Sequence, residues 1–392
     1  MFSLRSRIPA GENRITRTVE ALRGRGARLL DLTLSNPTGA DLPYPRDLLV
    51  PLSTPAAFPY QPDPRGSLTA RQAIAAHCGG PSSATGPAMD PHRLWLTSGT
   101  SEAYGMLFKL LCDPGGQILI PQPGYPLFEH LARLEGVRTR PYPLRYDGRW
   151  YIDMPALRAA IGPTTRALVC VNPNNPTGSY LKRDELLALA DLGLPIISDE
   201  VFSAFPLQAD ATRVDSALTC PRVPVFCLGG LSKFAGMPQV KLSWIALGGD
   251  RTHHDELAAR LDLISDCYLS VGAPVQAATE ALLTGTECVR AAIRRRLGTN
   301  YARLQVICSP GSPLSLLHTE GGWYAVLRLP STLDEEAWVL RLLNEVGVVV
   351  QPGYFFDFDE GVHVVVSLLV PEADFATGTE RLAQEVVRAL TL

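Results

Sequence analysis

Short apolar runs alternate with longer amphipathic ones through the middle of the chain. Residues 167–171 (ALVCV), 195–198 (PIIS), 225–228 (VFCL) and 242–247 (LSWIAL) are rich in Val, Ile, Leu or Cys and bounded by Pro, Gly, Asn or Asp. Each is the length of a buried strand. Residues 94–96 have the same character and lead into a helical pattern over 103–111. Residues 182–191 (KRDELLALAD) space their leucines and alanines as one face of a helix. Strands separated by helices predict an α/β fold, a mostly parallel central sheet with helices on both faces.

The two ends read differently. Residues 31–34 (DLTL) predict an early strand before the turn residues Ser35, Asn36, Pro37, Thr38 and Gly39. A charged helical pattern runs over 287–304, and apolar stretches follow at 323–329, 346–350 and 362–370. These predict a smaller α+β domain. The division is then an N-terminal segment 1–45 joining the small domain, a large domain 46–285, and a C-terminal small domain 286–392.

Composition narrows the class. With 392 residues, 46% apolar and 19% charged, the chain has ample material for a large core. The 36 basic and 39 acidic residues nearly cancel, so no nucleic-acid partner is expected. No run approaches the ~20 apolar residues of a membrane span, and residues 1–13 lack a signal-peptide core. The eight cysteines (78, 112, 170, 220, 227, 267, 288 and 308) form no C-x-x-C pair. They read as buried thiols of a cytoplasmic protein, and no metal site is expected. Only four basic residues are lysine, at 109, 182, 233 and 241, so few positions offer an amine.

In open α/β sheets ligands bind beyond the carboxyl ends of the strands, and four unusual segments lie there. Thr97-Ser98-Gly99-Thr100-Ser101-Glu102 opens a helix; its free N–H groups suit a phosphate, although a Ser/Thr cap would use the same residues. Asn172-Pro173-Asn174-Asn175-Pro176-Thr177-Gly178 follows a strand. It is a far more particular string than a turn requires. Asp199-Glu200 ends the next strand, where the aspartate is either an N-cap or the partner of a cofactor's ring nitrogen. Gly229-Gly230-Leu231-Ser232-Lys233 follows the strand after that. A desolvated lysine there becomes a neutral nucleophile able to form a Schiff base; otherwise it is a surface lysine. Lys241, eight residues on, could neutralise a phosphate.

Together these segments resemble the class I/II aminotransferases, the aspartate-aminotransferase-like, fold-type-I pyridoxal-phosphate enzymes, over nearly the whole chain. The resemblance implies pyridoxal 5'-phosphate held by Lys233 as an internal aldimine, and a ping-pong transfer of an amino group between an amino acid and a 2-oxo acid. It further implies Asn175 on the phenolic oxygen, Asp199 on the pyridine nitrogen, and Tyr125 of Pro123-Gly124-Tyr125-Pro126 stacked on the ring. Gly99, Thr100, Ser101, Ser232 and Lys241 are implied around the phosphate. Tyr60, of the segment running to Gly66, is implied to reach the partner subunit's site in a homodimer.

Three positions depart from the family pattern. Phe202 stands where the D-E-x-Y motif has Tyr, so a hydrogen-bond donor beside the phenolic oxygen is lost. Lys241 replaces the usual Arg. Val365, in 363–367 (HVVVS), falls where the substrate-carboxylate Arg is expected, and valine cannot fork a carboxylate. Backbone N–H groups near Ser35 and Asn36, or Arg65 or Arg328, are candidate substitutes. The missing Arg also admits a same-fold alternative, a lyase, decarboxylase or cyclase of specialised metabolism. A regulatory binding domain would need a basic helix-turn-helix segment, for which residues 1–30 are too short.

Overall fold

Strand Thr165–Val171 illustrates how the central sheet is built. Successive side chains of a strand point to opposite faces. Leu168 and Cys170 join one apolar cluster while Ala167, Val169 and Val171 join another. Both faces are therefore covered, and the run is continuously apolar instead of alternating. The computed structural model describes residues 2–7, 13–79 and 89–391. Part of the N-terminal stretch read for a signal peptide thus lies outside the described residues.

The sheet has eight strands. Their spatial order is Leu94–Thr97, Ser243–Gly249, Pro224–Gly230, Ile196–Asp199, Thr165–Val171, Gln117–Gln122, Arg138–Tyr146, Trp150–Ile152. The run from Pro224–Gly230 to Arg138–Tyr146 is parallel throughout. Strand Ser243–Gly249 pairs antiparallel with both its neighbours, which the alternation of strand and helix did not foretell. The physical reason is the connection. Only the one-turn helix Leu231–Phe234 and a 3-10 turn Pro238–Val240 separate it from the preceding strand, too little for a helical crossover. The hairpin at Gly148 (φ +70°) likewise sets Trp150–Ile152 antiparallel to its neighbour.

A third apolar cluster is built mostly from the chain ends. Long helices Glu287–Ile307, Glu335–Val346 and Glu372–Thr391 pack around a four-stranded antiparallel sheet that includes Tyr324–Arg328 and His363–Ser367. The early strand is shorter than expected, Leu30–Asp31, and pairs in parallel with Val348–Val349. The N-terminus is thereby joined to the C-terminal layer.

The cysteine expectation needs correction. Cys78, Cys112, Cys170, Cys220 and Cys227 are buried, but Cys267 and Cys288 are exposed and Cys308 is half-buried. The last three lie on or beside helices at the molecular surface, where apolar neighbours in sequence do not imply burial. All eight are free thiols.

Candidate active site

The carboxyl ends of the parallel strands open on a cleft of ≈ 610 Å³. Thr100, Tyr125, Val171, Asn175, Asp199, Val201, Phe202, Gly230, Ser232, Lys233, Ser243 and Tyr324 line it. Seven of the residues named from sequence thus meet here, drawn from five separate strand ends and their following turns.

Lys233 sits on the first turn after strand Pro224–Gly230. The two glycines before it allow a close approach: a Cβ on Gly229 would stand 2.5 Å from Trp244, and one on Gly230 2.3 Å from Ser243 Oγ. The Lys233 amine forms no hydrogen bond or ion pair among the described residues. It lies 4.9 Å from the ring centre of Trp323 and 5.5 Å from that of Phe202. Burial lowers its pKa to about 8, against the pull of the Asp199 charge. Such an amine loses its proton far more readily than a surface lysine.

Asp199 ends strand Ile196–Asp199 and is 6% exposed. Its Oδ1 accepts from Val201 N (3.2 Å) and its Oδ2 from the Tyr104 hydroxyl (2.9 Å). Burial raises its pKa to about 6, with both hydrogen bonds and the Lys233 charge opposing the rise. Adjacent Glu200 turns away, toward Ser198 Oγ, Ala217 N and Cys227 Sγ.

The Asn-Pro loop separates its asparagines by use. Asn172 Oδ1 accepts from Leu181 N and its Nδ2 donates to Val214 O. Asn174 Nδ2 donates to Pro123 O and Thr177 Oγ1. Gly178, at φ +70°, could carry no Cβ, because one would fall 2.4 Å from Thr319. Of the three, Asn175 lines the cleft, and its buried Oδ1, like that of Asn174, has no partner among the described residues. An orphaned buried amide calls for a ligand or water.

Helix Thr100–Leu111 begins at Gly99 with no side-chain cap. Ser98 instead gives its N–H and hydroxyl to the Glu102 carboxylate. The simple Ser/Thr cap is therefore not what these residues form, and the first-turn N–H groups face outward with the positive end of the helix dipole. Lys241, held in the left-handed region at φ 54°, places Nζ 3.4 Å from where a Cβ on Gly99 would stand. A cation beside a bare helix N-terminus is an arrangement that favours an anion. Ser101 lies on the exposed side of the same first turn.

The free lysine, the buried carboxylate, the orphaned amide and the anion-favouring helix end fit pyridoxal phosphate, which needs a partner of each kind. Tyr125 forms one wall; burial pushes its hydroxyl up to about 12, so it stays protonated. Tyr60 is not in this cleft. It is 79% exposed and borders a separate hollow with Gln61, Leu269 and Ser270.

Val365 is fully buried, opposite Val326 on one side and Gln351 on the other. The pairing Tyr324↔Ser367 and Val326↔Val365 puts Val365 on the sheet face that carries Tyr324 into the cleft. Among the described residues, no guanidinium lines the cleft. Arg65 is engaged elsewhere, both arms on Asp262 at 2.7 Å. Arg328 pairs with His363 at the opposite end of that strand from Tyr324. Of the substitutes considered from sequence, the Ser35 segment remains, beside the Tyr324 hydroxyl.

Sequence reasoning missed Val171, Val201, Ser243 and Tyr104, all apolar or locally featureless in sequence. Tyr324, within the apolar stretch 323–329, also lines the cleft, while neighbouring Trp323 is core.

Residues 56–381 match the family model of aminotransferase class I and II. The chain is 29% identical to an alanine aminotransferase of Mycobacterium tuberculosis, over 93% of this chain and 87% of that one. It is 24% identical to a glutamate-pyruvate aminotransferase of Escherichia coli, over 94% and 93%. An alanine aminotransferase structure from Pyrococcus furiosus superposes with a TM-score of 0.84, covering 95% of this chain and 96% of that one at 22% identity.

Proposed function

Because the chain belongs to the class I and II aminotransferases, pyridoxal-phosphate enzymes that move an amino group between an amino acid and a 2-oxo acid, we propose that Lys233 is the amine on which its catalysis turns. The carrying observation is a lowered-pKa lysine, without an ion pair, in the same cleft as a buried carboxylate and an orphaned amide. Bound pyridoxal phosphate supplies an aldehyde that condenses with amines and a ring that accepts the electron pair of a broken Cα–H bond.

The chain's own residues do the rest. Lys233 Nζ, neutral above about pH 8, would hold the cofactor through its aldehyde carbon and, once freed by the substrate amine, would serve as the base that carries the proton from the substrate's Cα to that carbon. Asp199 would keep a proton on the ring nitrogen, which would make the ring the better electron acceptor. Tyr125 would pack against the cofactor ring, and Asn175 would donate through its Nδ2 to the phenolic oxygen. The helix end at Gly99-Thr100-Ser101, with Ser232 and Lys241, would hold the phosphate. Phe202 and Val201 line the cleft with apolar surface that would help exclude water.

The names of the relatives favour alanine, glutamate and pyruvate as first substrates to try. Their carboxylates would be held by N–H groups near Ser35 and Asn36, since position 365 has no cation. Residues 46–285 would form the cofactor-binding domain, with 1–45 and 286–392 the smaller one. No helix among the described residues is long and apolar enough to cross a membrane, and five buried free thiols favour a cytoplasmic setting. Exposed Tyr60 and Phe58 (94% exposed) favour a homodimer in which Tyr60 reaches the partner's phosphate.

Borohydride reduction followed by peptide mass analysis tests the reading. The pyridoxyl label is expected on the peptide containing Lys233, and transfer from alanine to 2-oxoglutarate should fall by at least ~10²-fold in Lys233→Ala. Label on another lysine, or on none, overturns it. Sedimentation should give a dimer, with Tyr60→Phe weakening cofactor retention.

A further inference from the structure

Asp199 is not held by the lysine it shares the cleft with; it is held from behind. Helix Thr100–Leu111 sends Thr100 to the cleft and, one turn on, Tyr104 beneath it. Tyr104 is 1% exposed and donates its hydroxyl proton to Asp199 Oδ2 at 2.9 Å. That is the hydroxyl's one hydrogen bond among the described residues. A buried hydroxyl is costly unless it is bonded, and phenylalanine would fill the same space without that cost. The oxygen at position 104 is therefore explained by its bond to the carboxylate and by nothing else in its surroundings.

The ring is also caged. Phe128 meets it edge-on at 5.3 Å and 76°, and Phe108 lies 5.8 Å away. Phe128 in turn meets Tyr125 edge-on at 5.5 Å and 84°. One aromatic cluster thus fixes both the donor to Asp199 and the ring at the cleft wall. The other titratable groups facing Asp199 are Lys233, Tyr125 and Cys170. Tyr125 and Cys170 are both pushed up to about 12 by burial and remain neutral in the working range.

We propose that Tyr104 is a positioning residue for Asp199: its hydroxyl aims the carboxylate into the cleft and keeps it ionised in a buried site. The proposal rests on Asp199 being the partner of the cofactor's ring nitrogen. A carboxylate deprived of one of its two donors takes up a proton at higher pH, and a neutral acid no longer favours a protonated ring nitrogen.

The test is titration of apoprotein with pyridoxal phosphate by absorbance across pH 5–9, for wild type, Tyr104→Phe, Asp199→Asn and the double variant. In Tyr104→Phe the acid limb of cofactor affinity should move up by about one pH unit, a roughly tenfold weaker Kd below it. In the Asp199→Asn background the same change should do nothing. An unmoved limb, or an equal loss in both backgrounds, overturns the proposal. Infrared titration of wild-type apoprotein covers the case in which Tyr104→Phe does not fold. A tyrosine C–O band should shift as Asp199 ionises and stay still in Asp199→Asn; no shift overturns the proposal. If Asp199→Asn binds cofactor with wild-type affinity and spectrum, the role given to Asp199 fails as well. If Asp199→Asn is impaired and Tyr104→Phe is not, only the role of Tyr104 fails.

Discussion

Lys241 Nζ lies 3.4 Å from the point where a side chain on Gly99 would begin. The lysine comes from the turn after Pro238–Val240 and the glycine caps helix Thr100–Leu111. They meet at the bare end of that helix, so cation and dipole act on one spot.

Lys241→Gln should therefore weaken cofactor affinity about tenfold, and more at low ionic strength, while Lys241→Arg keeps most of it. Gly99→Ala should weaken it several-fold by pressing on the lysine. Equilibrium dialysis of pyridoxal phosphate against each apoprotein measures both.

Lys233 is expected to react as an amine of pKa about 8. Schiff-base formation between apoprotein and pyridoxal should reach half its limiting rate near that pH, well below the range of an exposed lysine. The Asp199 charge holds the value up, so Asp199→Asn should move the midpoint lower still. Stopped-flow absorbance across pH 6–10 reads the shift.

Asp199 carries a stability cost in the absence of cofactor. Its pKa rises from 3.8 unfolded to about 6 folded. Between those values the folded chain binds more protons at this site, so this contribution to stability falls as pH rises and is flat above. Asp199→Asn should make the apoprotein more stable at pH 8, by at most about 3 kcal/mol. The gain should vanish near pH 4. Urea melts at the two pH values check it.

Phe202 is 4% exposed, lines the cleft, and meets Trp323 edge-on at 5.4 Å. It offers no donor to an anionic oxygen. The Schiff base at Lys233 should therefore titrate at higher pH than in Phe202→Tyr, the difference being about one unit. An absorbance titration of the two holoproteins decides it; equal values would assign the oxygen's donors elsewhere.

Much of the cleft was legible because turn chemistry is local. The asparagine–proline loop, the helix opening at Gly99 and the glycines before Lys233 each owe their shape to residues within a few positions. Strands 165–171 and 224–230 were legible as apolar runs bounded by breakers. The antiparallel strand Ser243–Gly249 was not, since direction depends on the connection and not on the strand's own pattern. Cys267 and Cys288 were misjudged because burial depends on what packs against a helix, which periodicity does not state.

The amino-acid order by itself determined which chemical groups stand at strand ends: an amine at 233, a carboxylate at 199, an amide at 175. These follow from short-range geometry, an extended run followed by a breaker. Tertiary structure alone decided which of them stay unpaired, and so available to a ligand. Asn172 has both amide atoms bonded within the fold, whereas Asn175 reaches the cleft with its Oδ1 unpartnered. Asp199 meets a hydroxyl 95 residues away. Hydrogen-bond satisfaction and desolvation are sums over neighbours that only the folded chain brings together, and those sums set the charge each group carries.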